Sequence, residues 1–236
     1  MLQLANIAYS YPGREKALDA VSATIAPTVT ILAGPNAGGK TTLLRLLAGL
    51  LDPQSGTVTD KQNGGVLDAS ALRKMSRMVM QDADPQILGA SVDEDIRLGR
   101  AASNLGEAFD AEAARLTEKF GLGDFRYEPV DALSYGQKRK LCLVHALLAG
   151  PKMLLLDEPF AGLDYPSALE LREFIRENAA AGLTQVISTH ELEPVFDLAE
   201  HLVVIKDGGV AAEGKPKDLE SQLKTWSVRA PGGGWE

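Results

Sequence analysis

The chain has 236 residues, 45% of them hydrophobic, enough to bury the core of one large domain or of a domain carrying a subdomain. Its formal net charge of −8 opposes generic attraction to nucleic acid or anionic lipid, so any phosphate has to be held by local geometry. One cysteine, Cys142, excludes an internal disulfide, and no apolar run reaches membrane-span length; a cytosolic chain with a buried, inert thiol is expected.

In chain order, LQLANIAY and VTILAG read as β-strands, TLLRLLAGL as a helix, residues 52–65 as turns around a short strand, and RMVMQ as a further strand. SVDE, starting at Ser91, offers a capping box, and the run rich in Ala, Glu and Leu between it and Phe120 predicts helix. No strand-like run occurs between Ser91 and Gly150, so the middle third is expected to form a helical subdomain. QKRKLCLVHALLA predicts another helix, KMLLLD, TQVIST and HLVVIK predict strands, and the end of the chain, APGGGWE, reads as a loose tail. Strands alternating with helices give an α/β fold with a mostly parallel sheet. A single domain over 1–225 is expected, with its core at about 1–84 and 151–215, its helical subdomain at about 85–150, and a flexible tail at 226–236.

GPNAGGKTT, Gly34 to Thr42, matches G-x-x-x-x-G-K-[ST] at Gly34, Gly39, Lys40 and Thr41, between a strand and a helix. Gly38 and Gly39 let the backbone approach an anion, the N–H groups at the helix start point at it, and Lys40 adds charge for the β and γ phosphates. Thr41 offers a hydroxyl to Mg²⁺. A glycine turn with a solvated Lys40 is the plainer alternative, but it gives no packing reason for a lysine and a threonine at that spacing. Downstream, KMLLLDEP is a buried strand ending in two acids: Asp157 suits the water shell of magnesium and Glu158 suits an attacking water. In LSYGQ, Ser134 and Gln137 form a capping-box pattern, and a capped helix start with small neighbours such as Gly136 is a second anion site of modest strength.

These residues resemble the motifs of the ATP-binding-cassette ATPases. GPNAGGKT is similar to their Walker A loop, LSYGQ to their signature, LLLDEP to Walker B, AGLD to the D-loop and STH to the switch histidine, in family order over roughly residues 1–220. The resemblance implies a P-loop NTPase of the ABC type: a mostly parallel sheet core, an N-terminal antiparallel β part and an inserted helical subdomain. It implies binding of ATP and Mg²⁺ by the loop residues Gly34, Pro35, Asn36, Ala37, Gly38, Gly39, Lys40, Thr41 and Thr42. Tyr11 resembles the aromatic that stacks on adenine, with Tyr9 as its rival. Gln81 looks like the Q-loop glutamine that senses magnesium and attacking water, so metal contacts are expected at Thr41, Gln81 and Asp157. Catalytic roles are expected for Lys40, Gln81, Glu158 and His190, and Asp164 is similar to the D-loop aspartate of the dimer interface. In that family the signature of one subunit closes over the γ-phosphate bound by another, so Ser134, Gly136 and Gln137 are expected to serve a partner's nucleotide. His145 and His201 read as incidental, and Lys138, Arg139 and Lys140 as a solvated helix face, with contact with a partner or with phosphate as the alternative. Two positions depart from the pattern: Ala37 stands where the family often has glycine, and Tyr135 replaces the first signature glycine. If either position needs φ > 0, the side chain costs roughly 1–2 kcal/mol.

QDADPQILGASVDEDIRLG, Gln81 to Gly99, resembles a stretch in the ATPases of energy-coupling factor importers for cobalt, nickel and vitamins, with Gln86 five residues after Gln81 and the proline displaced to Pro85. An acidic loop capping the next helix, through Asp84, Asp93 and Glu94, is the alternative. The resemblance implies a second ABC ATPase subunit, identical or paralogous, and an integral membrane coupling protein touched by Gln86, Ile87 and Leu88. A separate substrate-binding membrane subunit is a further implied partner, and nucleic acid is not. The chain is then peripheral, on the cytoplasmic face of the cell membrane. A soluble ABC ATPase serving an assembly or regulatory complex is the rival, and a weak site paired with a different, active cassette is a third reading.

Overall fold

A computed structural model describes residues 1–13 and 16–232. The strands β1 (Leu2–Ser10), β2 (Lys16–Ile25) and β3 (Val29–Ala33) lead into helix α1 (Lys40–Leu47), and after it come β4 (Ser55–Asp60), β5 (Val66–Leu67), α2 (Ala69–Met75) and β6 (Ser76–Val79). The middle of the chain holds α3 (Val92–Leu98), α4 (Phe109–Lys119) and α5 (Tyr135–Leu148). The last third holds β7 (Met153–Asp157), α6 (Tyr165–Ala180), β8 (Thr184–Thr189), β9 (His201–Lys206), β10 (Gly209–Gly214) and α7 (Pro216–Leu219). Two compact units result, one from 1–78 with 153–236 and one from 79–152.

The first unit carries a four-stranded sheet in the order β2-β1-β4-β5, antiparallel throughout, and a six-stranded sheet in the order β10-β9-β3-β8-β7-β6. In the second sheet β9, β3, β8 and β7 run parallel, and β10 closes the edge antiparallel to β9. VTILA and MLLLD are buried at every position, the near-continuous apolar pattern of strands covered on both faces. The core joins Leu4, Ile7, Leu18 and Val21 of the antiparallel sheet to Leu43 and Leu47 of α1. Two register pairs decide where chemistry can gather: Ala33 lies beside Thr189, and Asp157 beside Ser188. The strands β3, β8 and β7 therefore end together, and the loops leaving them gather at the carboxyl edge of the sheet, where open α/β sheets place ligands.

The second unit is helical, with α5 packed against α3 and α4 and with Val92, Phe109, Leu116, Leu122, Leu141 and Val144 buried. It begins at Val79, and within it Tyr135 and Arg139 of α5 hydrogen-bond the carbonyl of Gln81. The helix expected from Ser91 to Phe120 is broken by turns between Leu98 and Phe109. The capping box at Ser91 is only half made: Ser91 Oγ accepts the Glu94 N–H, but Glu94 Oε2 accepts from Ala90 instead of Ser91.

β2 and β10 were not among the expected strands. In β2 the inward alternation fails between Leu18 and Val21, where Ala20 has φ 50 and the register against β1 shifts. Such a bulge hides the period of two from the sequence. At the other end, the chain stays packed beyond 226: Val228 is buried, and the backbone at Arg229 forms an isolated parallel β-bridge with that at Glu191. The last part of the expected tail, 233–236, lies outside the described residues. Among the described residues, no helix is long and apolar enough to cross a membrane.

Candidate functional site

The loop 34–39 between β3 and α1 is shaped by its glycines. Gly34 has φ 145 and Gly39 φ 112, and a Cβ on Gly34 would stand 1.9 Å from the Ile205 carbonyl oxygen. The loop is thus seated directly on β9, and Gly208 N–H donates to the Gly38 carbonyl (3.1 Å). Ala37 has φ 61 and is exposed, so the first of the two departures does occupy a left-handed position. Tyr135 does not: it is the first residue of α5 and helical. Gly39 N-caps α1 without a side-chain cap, and Pro35 and Asn36 form the outer part of the loop.

Lys40 opens α1 and is only 6% exposed. Its Nζ donates to the carbonyls of Gly34 (2.8 Å) and Pro35 (3.1 Å) and stands 3.6 Å from Glu158 Oε1. Thr41 Oγ1 donates to both carboxylate oxygens of Asp157, at 3.1 and 2.9 Å. Asp157 is buried at the end of β7, where Ser188 Oγ also donates to it. Glu158, the next residue, is buried and has φ 46, a conformation that costs an ordinary side chain about 1–2 kcal/mol. It is held there by its N–H, which donates to the carbonyl (3.0 Å) and Oγ (3.2 Å) of Ser188. His190 stands just past the end of β8: its N–H donates to Glu158 Oε2 (3.3 Å) and its Nδ1 lies 2.9 Å from the same oxygen.

Lys40, Thr41, Asp157, Glu158 and His190 thus form one cluster, with Ser188 bracing both acids. Sequence reasoning missed Ser188; its signal was a serine inside the buried strand TQVIST. A carboxylate hydrogen-bonded on one side by a histidine and facing a lysine on the other is oriented to take a proton from water. Thr41 and Asp157 supply the hard oxygen donors that suit Mg²⁺. Among the described residues, no group of three or more His, Cys, Asp or Glu side chains could hold a metal.

The remaining expected residues sort by unit. In the first, Tyr11 Oη is 3.5 Å from Thr42 Oγ1 and accepts from Arg45 (3.2 Å), while Tyr9 packs on the core and meets Tyr11 edge to face at 5.1 Å. Asp164 N-caps α6, accepting from Ser167 N–H (3.0 Å). Arg172, buried, grips Pro194 and Asp197, fixing the segment after His190; that hydrogen bond holds the Asp197 carboxyl below the usual carboxylate range. In the second unit, Ser134 Oγ accepts from Gln137 N–H (3.3 Å) and Gln137 Oε1 from Ser134 N–H (2.8 Å), a complete capping box. Gly136 lies in the first turn, with open space where a Cβ would stand.

Arg139 corrects the reading of 138–140 as a solvated face: it is 4% exposed and bonded to Gln81 and Tyr135. Cys142 is buried, and burial pushes its thiol up to about 12. His145 and His201 have structural partners, Asp95 and Glu213.

A glycine-rich loop opening a helix, with an acid pair and a histidine at the ends of neighbouring parallel strands, defines a phosphate-loop nucleoside triphosphatase. Residues 18–161 match the family described as ABC transporter. The cobalt import ATP-binding protein CbiO of Rhodobacter capsulatus is 38% identical over 229 residues, covering 93% of this chain and 80% of that protein. The energy-coupling factor transporter ATP-binding protein EcfA1 of Methanospirillum hungatei is 33% identical over 231 residues, covering 94% and 82%. The structure of cbiO1 from Clostridium perfringens, part of the ABC transporter complex cbiONQ, superposes with a TM-score of 0.81 at 29% identity, over 95% of this chain and 92% of that one. The chain belongs to the ABC transporter ATPase family and is an ATP-binding, ATP-hydrolysing protein.

Proposed function

We propose that this chain energises an importer of the energy-coupling factor type, for a transition-metal ion or a vitamin. It works beside a second cassette, identical or paralogous, and an integral membrane coupling protein carries the pair on the cytoplasmic face of the membrane. A separate substrate-binding membrane subunit completes the assembly. The likeness to CbiO and EcfA1 over nearly the whole chain supports the importer class.

The observation that carries the paired arrangement is the start of α5. Ser134 and Gly136 lie in the helical unit, and among the described residues a Cβ at Gly136 meets nothing within 4 Å beyond its chain neighbours and its own helix backbone. That open space gives the glycine no packing role, so an external ligand accounts for its place better than internal packing does. In this reading Ser134, Gly136 and Gln137 present helix N–H groups to the nucleotide held by the partner cassette.

Within its own site, Tyr11 stacks on adenine and residues 34–42 cradle the phosphates. Lys40 leaves the Gly34 and Pro35 carbonyls to meet the β and γ phosphates. Thr41 and Asp157 would hold Mg²⁺, which when bound would neutralise phosphate charge, and Gln81 would sense the ion and the attacking water. Glu158 accepts a proton from the attacking water, and His190 orients Glu158 and contacts the γ-phosphate. Asp164 sits at the cassette interface.

Leu88 is 76% exposed in the loop after Gln81, and with Ile87 it offers the apolar contact for the membrane partner. Gln86 is turned inward, its Oε1 accepting the Met80 N–H (2.7 Å), so it shapes that loop.

Two measurements test the proposal. Glu158→Gln is expected to lower kcat by about 10²–10⁴-fold while ATP stays bound and a dimer accumulates; unchanged turnover rules out Glu158 as the base. Purification from a detergent extract is expected to bring down an integral membrane protein, whereas a stable complex confined to the soluble fraction contradicts the importer reading.

A further inference from the structure

One face of the signature helix is fastened to the segment that carries Gln81. Tyr135 Oη donates to the Gln81 carbonyl (2.8 Å), and Arg139 Nη2 donates both to that carbonyl (3.0 Å) and to Tyr135 Oη (2.7 Å). Lys138 Nζ reaches Asp84 Oδ1 at 2.7 Å, and Cys142 Sγ lies 3.8 Å from the Ala83 carbonyl. Residues 135, 138, 139 and 142 have the i, i+3, i+4, i+7 spacing of one helix stripe. The stripe runs along 81–84.

Tyr135 and Arg139 are the centre of this fastening. The Arg139 guanidinium lies 4.9 Å from the centroid of the Tyr135 ring. It is buried, a costly place for a charge unless its donors are met, and the Gln81 carbonyl and the tyrosine oxygen meet two of them. Gln81 itself is exposed, so its main chain is held while its side chain stays available. A glycine at 135, the residue that Tyr135 replaces, has neither the ring nor the hydroxyl, so this bond belongs to the departure from the signature pattern.

We propose that Tyr135 is a positioning residue for hydrolysis. Through the Gln81 main chain it fixes where the Gln81 side chain stands, so that a shift of α5 is passed to Gln81 as a rigid displacement. The inference rests on the role proposed for Gln81 in hydrolysis. It adds a physical link between the signature at the start of α5, which serves the partner's nucleotide, and the glutamine that serves the chain's own.

Steady-state kinetics on the full-length protein test it with Tyr135→Phe, Gln81→Ala and the double variant. Tyr135→Phe keeps the ring over Arg139 and removes one hydroxyl. It is expected to lower kcat about fivefold, the worth of the hydrogen bond given to the Gln81 carbonyl, with KM for ATP changed less than about twofold. In the Gln81→Ala background the same change is expected to have no further effect, since there is no glutamine left to position. Losses that multiply in the double variant, or a loss confined to KM, overturn the inference. If Gln81→Ala lowers kcat and Tyr135→Phe does not, the inference fails and the role of Gln81 stands. If Gln81→Ala leaves kcat unchanged, that role fails and the inference with it. Amide hydrogen exchange gives a readout independent of turnover: exchange across 82–86 is expected to quicken in Tyr135→Phe, and an unchanged pattern contradicts the fastening.

Discussion

Ala37 and Glu158 both stand in the left-handed region, at φ 61 and φ 46, and the two differ in what holds them. Ala37 is exposed in the phosphate loop, where its Cβ adds strain and little packing. Ala37→Gly is therefore expected to stabilise the protein by up to about 1 kcal/mol, raising Tm by about 2–4 °C; a lower Tm in calorimetry contradicts the strain argument. Glu158 is held in place by Ser188, which accepts its N–H and also donates to Asp157. Ser188→Ala removes a brace common to both acids. It is expected to reduce kcat by about tenfold or more, with a smaller change in KM, and equal kcat in the variant speaks against the bracing role. The candidate side chains themselves were legible in the sequence because phosphate chemistry demands a lysine, a hydroxyl and carboxylates at fixed offsets. The φ of Glu158 was not legible, because a residue's dihedral here depends on a hydrogen bond to a strand 30 positions away.

Helix α3 secures the loop that bears Leu88. Asp95, 1% exposed, accepts the N–H groups of Leu88 (2.8 Å) and Gly89 (3.1 Å) and lies 3.5 Å from His145 Nδ1. Burial alone would raise the Asp95 carboxyl, but the hydrogen bonds from His145, Leu88 and Gly89 outweigh it and hold the group below the usual carboxylate range. A carboxylate with a depressed folded pKa contributes stability in full above its unfolded value. That contribution is lost as pH falls through the folded one. The parent protein is thus expected to exceed Asp95→Asn in stability by about 1–3 kcal/mol at pH 7, and the gap should close as pH drops below about 4. Urea denaturation at both pH values checks this; a gap that persists or widens in acid has the wrong sign. At this scale the sequence read well where apolar period and burial coincide, as in VTILA and MLLLD, and poorly where a bulge interrupts the period, as at Ala20 in β2. Arg139 was misread for a related reason: a charged residue on a polar-looking helix face is buried by the 81–84 segment, which no local pattern announces.

The whole chain distributes its chemistry over two units. Lys40, Thr41, Asp157, Glu158 and His190 belong to the sheet unit, and Ser134, Gly136 and Gln81 to the helical one. The α/β class and the helices of the middle third were legible from alternation and from the missing strands, whereas the hydrogen bonds that fasten α5 to Gln81 were not. We propose that ATP is hydrolysed between two cassettes, each lending its signature to the other. Turnover per subunit, measured at saturating ATP across a dilution series with mass tracked by light scattering, tests it most directly. Turnover is expected to fall as the assembly dissociates, or to be absent until a paralogous cassette is added. Full turnover by a strict monomer at every dilution contradicts it.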